Sequence, residues 1–106
     1  MNIAYNFLKD YIPIHSAIKT REDGDFLVAL SRSNDIYYLN GTAREMWNLL
    51  DGNTSIESLC AKIMCEYDVD RKSLEGDIVN FIRDLQWKKL IRLKEGDNIH
   101  EGRRTG

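Results

Sequence analysis

Residues 36–57, IYYLNGTAREMWNLLDGNTSIE, change their hydrophobic period partway along. Ile36 to Leu39 read as a strand, and after Leu39 the period moves from two to about 3.6. Thr42-Ala43-Arg44-Glu45 has the spacing of a capping box, in which Thr42 caps a helix and Glu45 returns a hydrogen bond. Met46, Leu49 and Leu50, with Trp47, make the apolar side of that helix, and Gly52 stops it. Thr54-Ser55-Ile56-Glu57 repeats the box and opens a second helix. A strand half therefore precedes this stretch and a helix half follows it.

Upstream, from His15 to Leu39, the texture is β: Ala17-Ile18, then FLVAL (26–30), then IYYL (36–39). Glu22-Asp23-Gly24-Asp25 reads as a charged hairpin, and Ser31-Arg32-Ser33-Asn34-Asp35 as a second polar turn. Short strands on short turns predict an antiparallel meander with a free edge. Downstream, Ile56, Leu59, Cys60, Ile63, Met64 and Tyr67 recur at helical spacing. Asp68 or Asp70 opens a third helix striped by Leu74, Ile78, Phe81, Ile82 and Leu85, and Leu90-Ile91-Arg92-Leu93 closes the core as an extended piece. Gly76 interrupts the third helix at a cost of about 1 kcal/mol relative to Ala, which fits either an exposed face or the close approach of another backbone. The expected order is β-β-β-α-α-α, an α+β domain in the manner of a small winged helix. Its expected limits are residues 14–94, with an arm over 1–13 ended by Pro13 and a polar tail over 95–106.

One hundred and six residues suffice for one domain that buries roughly two-thirds of its unfolded surface. The net charge of −2 argues against a protein built to coat nucleic acid or an acidic membrane. Charge is uneven: residues 1–82 carry 8 basic and 13 acidic groups (−5), and residues 83–106 carry 7 basic and 4 acidic (+3). MNIAYNFLKDYI lacks the features of a signal peptide, and no apolar run approaches 18 residues. Cys60 and Cys65 are five apart in a helical segment, neither a zinc pattern nor a disulfide spacing, and read as reduced core residues suited to a cytoplasmic protein.

Active-site chemistry has no candidate. The two histidines, His15 and His100, have no nucleophile in a plausible partnering position. No glycine loop for phosphate and no metal-ligand cluster occurs, and Asp23, Asp25 and Asp35 fall in turns. The expectation is no catalytic residue, no metal and no cofactor, hence no enzyme.

Tyr38-Leu39-Asn40-Gly41-Thr42-Ala43, then Trp47, Leu50-Asp51-Gly52 and Thr54-Ser55-Ile56-Glu57, resemble the PqqD family. The resemblance continues through Glu66-Tyr67 and Ile78-Val79, Phe81-Ile82 and Leu85 to Leu90-Ile91, and covers residues 15 to 93. Where the family usually has a glycine before the last aliphatic pair, this chain has Lys88-Lys89. The resemblance implies a RiPP precursor recognition element. Such a domain binds the leader of a ribosomally made precursor peptide and presents it to a modifying enzyme. In PQQ biosynthesis that enzyme is a radical S-adenosylmethionine protein; relatives serve lasso-peptide and sactipeptide pathways, where the partner can also be a leader protease.

By the resemblance, the peptide lies along the third strand, Asp35, Ile36, Tyr37, Tyr38 and Leu39, and against the third helix. Strand alternation sets Tyr37 and Leu39 on one face and Ile36 and Tyr38 on the other, and Tyr37 and Leu39 are expected inward. Asp77, Phe81, Asp84 and Lys88 form a row beside the apolar stripe of the helix and are expected across a groove from the outward Ile36 and Tyr38. An exposed meander edge accepts an extended peptide through main-chain hydrogen bonds, and equally a second copy of the chain, so monomer and homodimer both remain open. The alternative is a winged-helix DNA binder; against it, Asp77 and Asp84 interrupt any basic face on the third helix.

Overall fold

A computed structural model describes residues 3–96; the rest of the expected tail, with His100, Arg103 and Arg104, lies outside the described residues. The elements are α1 (Ile3–Leu8), β1 (Tyr11–His15), β2 (Lys19–Asp23), β3 (Phe26–Leu30), β4 (Ile36–Asn40), α2 (Gly41–Leu49), α3 (Ile56–Glu66), α4 (Arg71–Trp87) and β5 (Ile91–Glu95). The meander is present as an antiparallel sheet in the order β2-β3-β4, followed by three helices. β2 takes in Glu22 and Asp23, which the sequence suggested for the turn, and its five side chains are all exposed. The backbone ladder to β3 holds it, so no apolar alternation marks it. Gly24, at a φ of +63°, and Asp25 make the turn from Asp23 to Phe26. Between β3 and β4 the buried Ser31 ties the second turn: its hydroxyl accepts the N–H groups of Ser33 (3.1 Å) and Asp35 (3.2 Å).

A second sheet was not expected. β1 pairs antiparallel with β5, from Tyr11↔Glu95 to His15↔Ile91. The suggested arm boundary after Pro13 falls inside β1, and the suggested tail begins at the last residue of β5. Pro13 lacks an N–H, which lowered the strand signal, yet a two-stranded ribbon leaves one side of each strand unpaired and accommodates it. The first residues are integral too. α1 packs on α4 and buries Tyr5, whose hydroxyl pKa is raised above its ordinary value, first by burial and then by Cys60. At the far end of the ribbon, a Cβ on Gly96 would lie 2.5 Å from the carbonyl oxygen of Asp10. The domain thus extends to both ends of the described chain.

Two of the three helix caps depart from the sequence, and the third, Asp70, is one of the two residues expected there. α2 begins at Gly41, directly after β4, so Thr42 is already inside it and Asn40 occupies the N-cap without a side-chain bond. The second cap is Ser55, which accepts from the Ser58 N–H at 3.1 Å, and the third is Asp70, which accepts from Ser73 at 3.0 Å. Gly76 is half-buried, and Trp87, the last residue of α4, is 86% exposed. Cys60 is buried and Cys65 exposed, so only one of the pair is a core residue.

Ile56, Leu59, Ile78, Ile82, Leu85, Leu90 and Ile91 are the fully buried centre, each worth about 1.5–3 kcal/mol relative to exposure. Leu27, Ala29 and Leu39 close it from the sheet. α4 ends in a Schellman motif: the Leu90 N–H donates to Leu85 O (2.9 Å) and the Lys89 N–H to Gln86 O (3.0 Å), with Lys89 left-handed at a φ of +60°. The left-handed backbone here supplies a physical reason for the glycine that the resemblance implies before Leu90-Ile91.

Candidate functional site

β4 is an edge of its sheet. The Ser31 N–H donates to the Asp35 carbonyl at 2.8 Å. Antiparallel ladders alternate bonded and unbonded pairs, so Ala29↔Tyr37 and Leu27↔Leu39 are the bonded ones. The N–H and C=O groups of Ile36 and Tyr38 consequently point away from β3 toward the open edge. No residue of β4 is charged.

The two faces of β4 differ. Leu39 is buried and Tyr37 half-buried against the core, whereas Ile36 and Tyr38 are 60% and 64% exposed. On the outward face Tyr38 meets Phe26 edge to face, ring centroids 6.0 Å apart. α4 lies on the inward side. The Lys88 ammonium stands 5.1 Å from the centre of the Tyr37 ring and pairs with Asp84 at 2.8 Å. The α4 row therefore faces Tyr37, and Ile36 and Tyr38 sit on the opposite face of the sheet from it. Phe81, half-buried, packs on the core between Lys88 and Asp77 along that row. Asp35 is exposed at the turn that feeds β4.

Asp77, at the other end of the row, opens on a cavity of about 250 Å³ shared with Thr42, Glu45, Met46 and Leu49 of α2, Ile63 of α3, Tyr67, Val69 and Leu74. β4 and the start of α2 thus run beside the α4 row in the opposite direction, from Tyr37 at Lys88 to Thr42 near Asp77. Of this group the sequence assigned only Asp77 to the site and read the apolar members on the helices as core. Met46, Leu49, Ile63 and Leu74 carry the same spacing as core residues, so nothing in the pattern separated cavity wall from core. The larger cavity, about 650 Å³ around Asp25, Asn40, Arg44 and Asn48, is open and polar, with Arg44 paired to Glu22.

The remaining chemistry is structural. His15 stacks on Trp47 with ring centroids 3.9 Å apart, and its Nε2 lies 3.0 Å from the Trp47 carbonyl. The Asp51 carboxyl is held below its ordinary pKa, first by the Asn53 N–H that it accepts at 2.8 Å in the turn between α2 and α3. Among the described residues no group of three His, Cys, Asp or Glu is placed to hold a metal, and no helix is long and apolar enough to cross a membrane.

No curated protein matches the chain. The solved structure of TbiB1 in complex with the TbiA(β) leader peptide is similar to it, with a TM-score of 0.66 and 28% sequence identity over 74% of this chain and 94% of the other. Residues 26–91, which run from β3 through α4 into β5, match the model of coenzyme PQQ synthesis protein D, and the chain belongs to that PqqD family.

Proposed function

We propose that this domain is a non-catalytic recognition element that binds the leader of a ribosomally made precursor peptide and presents it to a modifying enzyme. The carrying observation is the similarity to TbiB1, a protein solved with a leader peptide bound, in a chain whose own β4 edge is open and uncharged. The leader would add to β4 through the outward-pointing groups of Ile36 and Tyr38, as an extra antiparallel or parallel strand. Its side chains of one parity would enter the cleft between Tyr37 and the α4 row of Phe81, Asp84 and Lys88. Those of the other parity would lie beside Ile36 and Tyr38. The modifying enzyme, of radical S-adenosylmethionine or leader-protease type, would act on the peptide held there, in the cytoplasm.

Isothermal titration with the leader segment of any short peptide encoded beside this chain tests the proposal. Dissociation constants of micromolar or tighter, about 8 kcal/mol, are expected, with only a modest dependence on salt. Absence of binding to that leader, together with a duplex-DNA affinity that falls steeply with salt, would replace it with nucleic-acid recognition.

A further inference from the structure

The cavity that Asp77 shares with α2 and α3 has no part in strand addition, but Asp77 places it at one end of the α4 row whose other end, Lys88, meets Tyr37. Lys88 to Asp77 spans about 16 Å of helix. Tyr37 to Gly41 spans about 13 Å of strand before α2 begins, so both walls cover a similar length. At one end the walls meet through Lys88 and Tyr37; at the other they part to form the cavity. Its floor is Met46, Leu49, Ile63 and Leu74, and at its mouth Tyr67 and Val69 remain 49% and 39% exposed. Cavities of about 150 Å³ already accept a benzene ring, so about 250 Å³ takes one large side chain.

Charge narrows the occupant. Glu45 and Asp77 both line the cavity, and neither joins any of the four ion pairs among the described residues. A cation beside the buried group would meet both carboxylates, whereas an acidic neighbour would be repelled.

We infer that this cavity is an anchor pocket for the bound peptide, taking one large apolar or aromatic side chain with a lysine or arginine next to it. The inference rests on the proposed peptide-binding function. It sets the anchor roughly four to five residues along the peptide from the position opposite Tyr37, at about 3.3 Å per residue. The strand edge then supplies sequence-tolerant backbone bonds, and the pocket selects among leaders.

Val69→Trp tests it, because Val69 lies between α3 and α4 with its side chain at the mouth, where an indole would plug the opening without entering the core. Titration with the precursor leader encoded beside the chain should show affinity roughly 10- to 100-fold weaker than the unmodified protein. A leader peptide truncated to remove the anchor should bind both proteins equally. Asp77→Lys, at an exposed position, gives an independent arm: it should weaken the leader roughly 10-fold, and changing the peptide's basic residue to Glu should restore most of that loss. Leader binding by the unmodified protein that neither substitution alters would overturn the anchor pocket and leave the peptide-binding function standing. Failure of the unmodified protein to bind the leader would overturn both.

Discussion

Among the described residues the three-stranded sheet has two free edges, and they are chemically opposite. β2, KTRED, carries four charges in five residues and exposes all of its side chains. β4, IYYLN, carries none, and stands beside a helix whose side chains reach its inner face. Charged edges resist the addition of another strand, because pairing would desolvate or oppose those groups. An uncharged aromatic edge invites it. One sheet thus protects one side and offers the other, and the difference lies in side-chain charge and in what stands behind the strand, since both edges present the same kind of unpaired backbone.

The sharpest way to break this comparison is to place proline on each edge in turn. In Tyr38→Pro the lost N–H is one that points to the open side, so the ladder to β3 survives while an added strand loses a donor and meets the ring. Leader affinity should fall about 100-fold or more, with the melting temperature changed by only a few degrees. Thr20→Pro, whose lost N–H likewise points to the open side of β2, should leave leader affinity within about twofold. Equal losses at both edges, measured by titration, would refute the assignment of the peptide to β4.

Phe81→Ala asks whether the helix beside β4 contributes as much as the edge. Phe81 is half-buried on the row between Lys88 and Asp77. Truncation should weaken the leader about 10-fold, a loss of about 1.4 kcal/mol, in a domain that still melts cooperatively. A collapse of thermal stability instead would make Phe81 a core residue and leave the edge as the whole site. Lys88→Met is milder. It keeps the aliphatic stem and removes a half-exposed charge over Tyr37, so a change of about two- to fivefold is expected.

These residues differ in how well the sequence announced them. The switch of period after Leu39 located β4, α2 and the free edge, and alternation set Leu39 inward, because one buried face imposes period two. β2 was misplaced because a strand without a buried face leaves no apolar trace. β1 and its pairing with the expected extended piece at Ile91 escaped for another reason: the pairing joins residues some eighty positions apart, and Pro13 argued locally against a strand. The same local limit hid the anchor cavity. Met46, Ile63 and Leu74 repeat as core residues do, and only the angle between three helices decides that they line an opening. The α2 cap moved from Thr42 to Asn40 because Gly41 lets β4 turn straight into α2, at a φ of +48°, before Thr42 can cap anything.

The smallest expected effect separates the stability of α4 from its use. Lys89 follows the α4 cap in the left-handed region, where an L side chain other than Asn or Asp costs about 1 kcal/mol or more. Its carbonyl accepts only a long contact from Arg32 Nε at 3.5 Å, and its side chain is exposed. Lys89→Gly should therefore stabilise the domain by about 1 kcal/mol, less a few tenths for the greater freedom of glycine in the unfolded chain. For a domain of this length that raises the melting temperature by about 4 °C. Leader affinity should not move, because the residue that meets Tyr37 is Lys88, whose backbone the substitution leaves in the α region. If affinity rises with stability, the end of α4 is a mobile part of the cleft, and the β4 edge would owe some of its apparent receptiveness to how firmly that helix is closed.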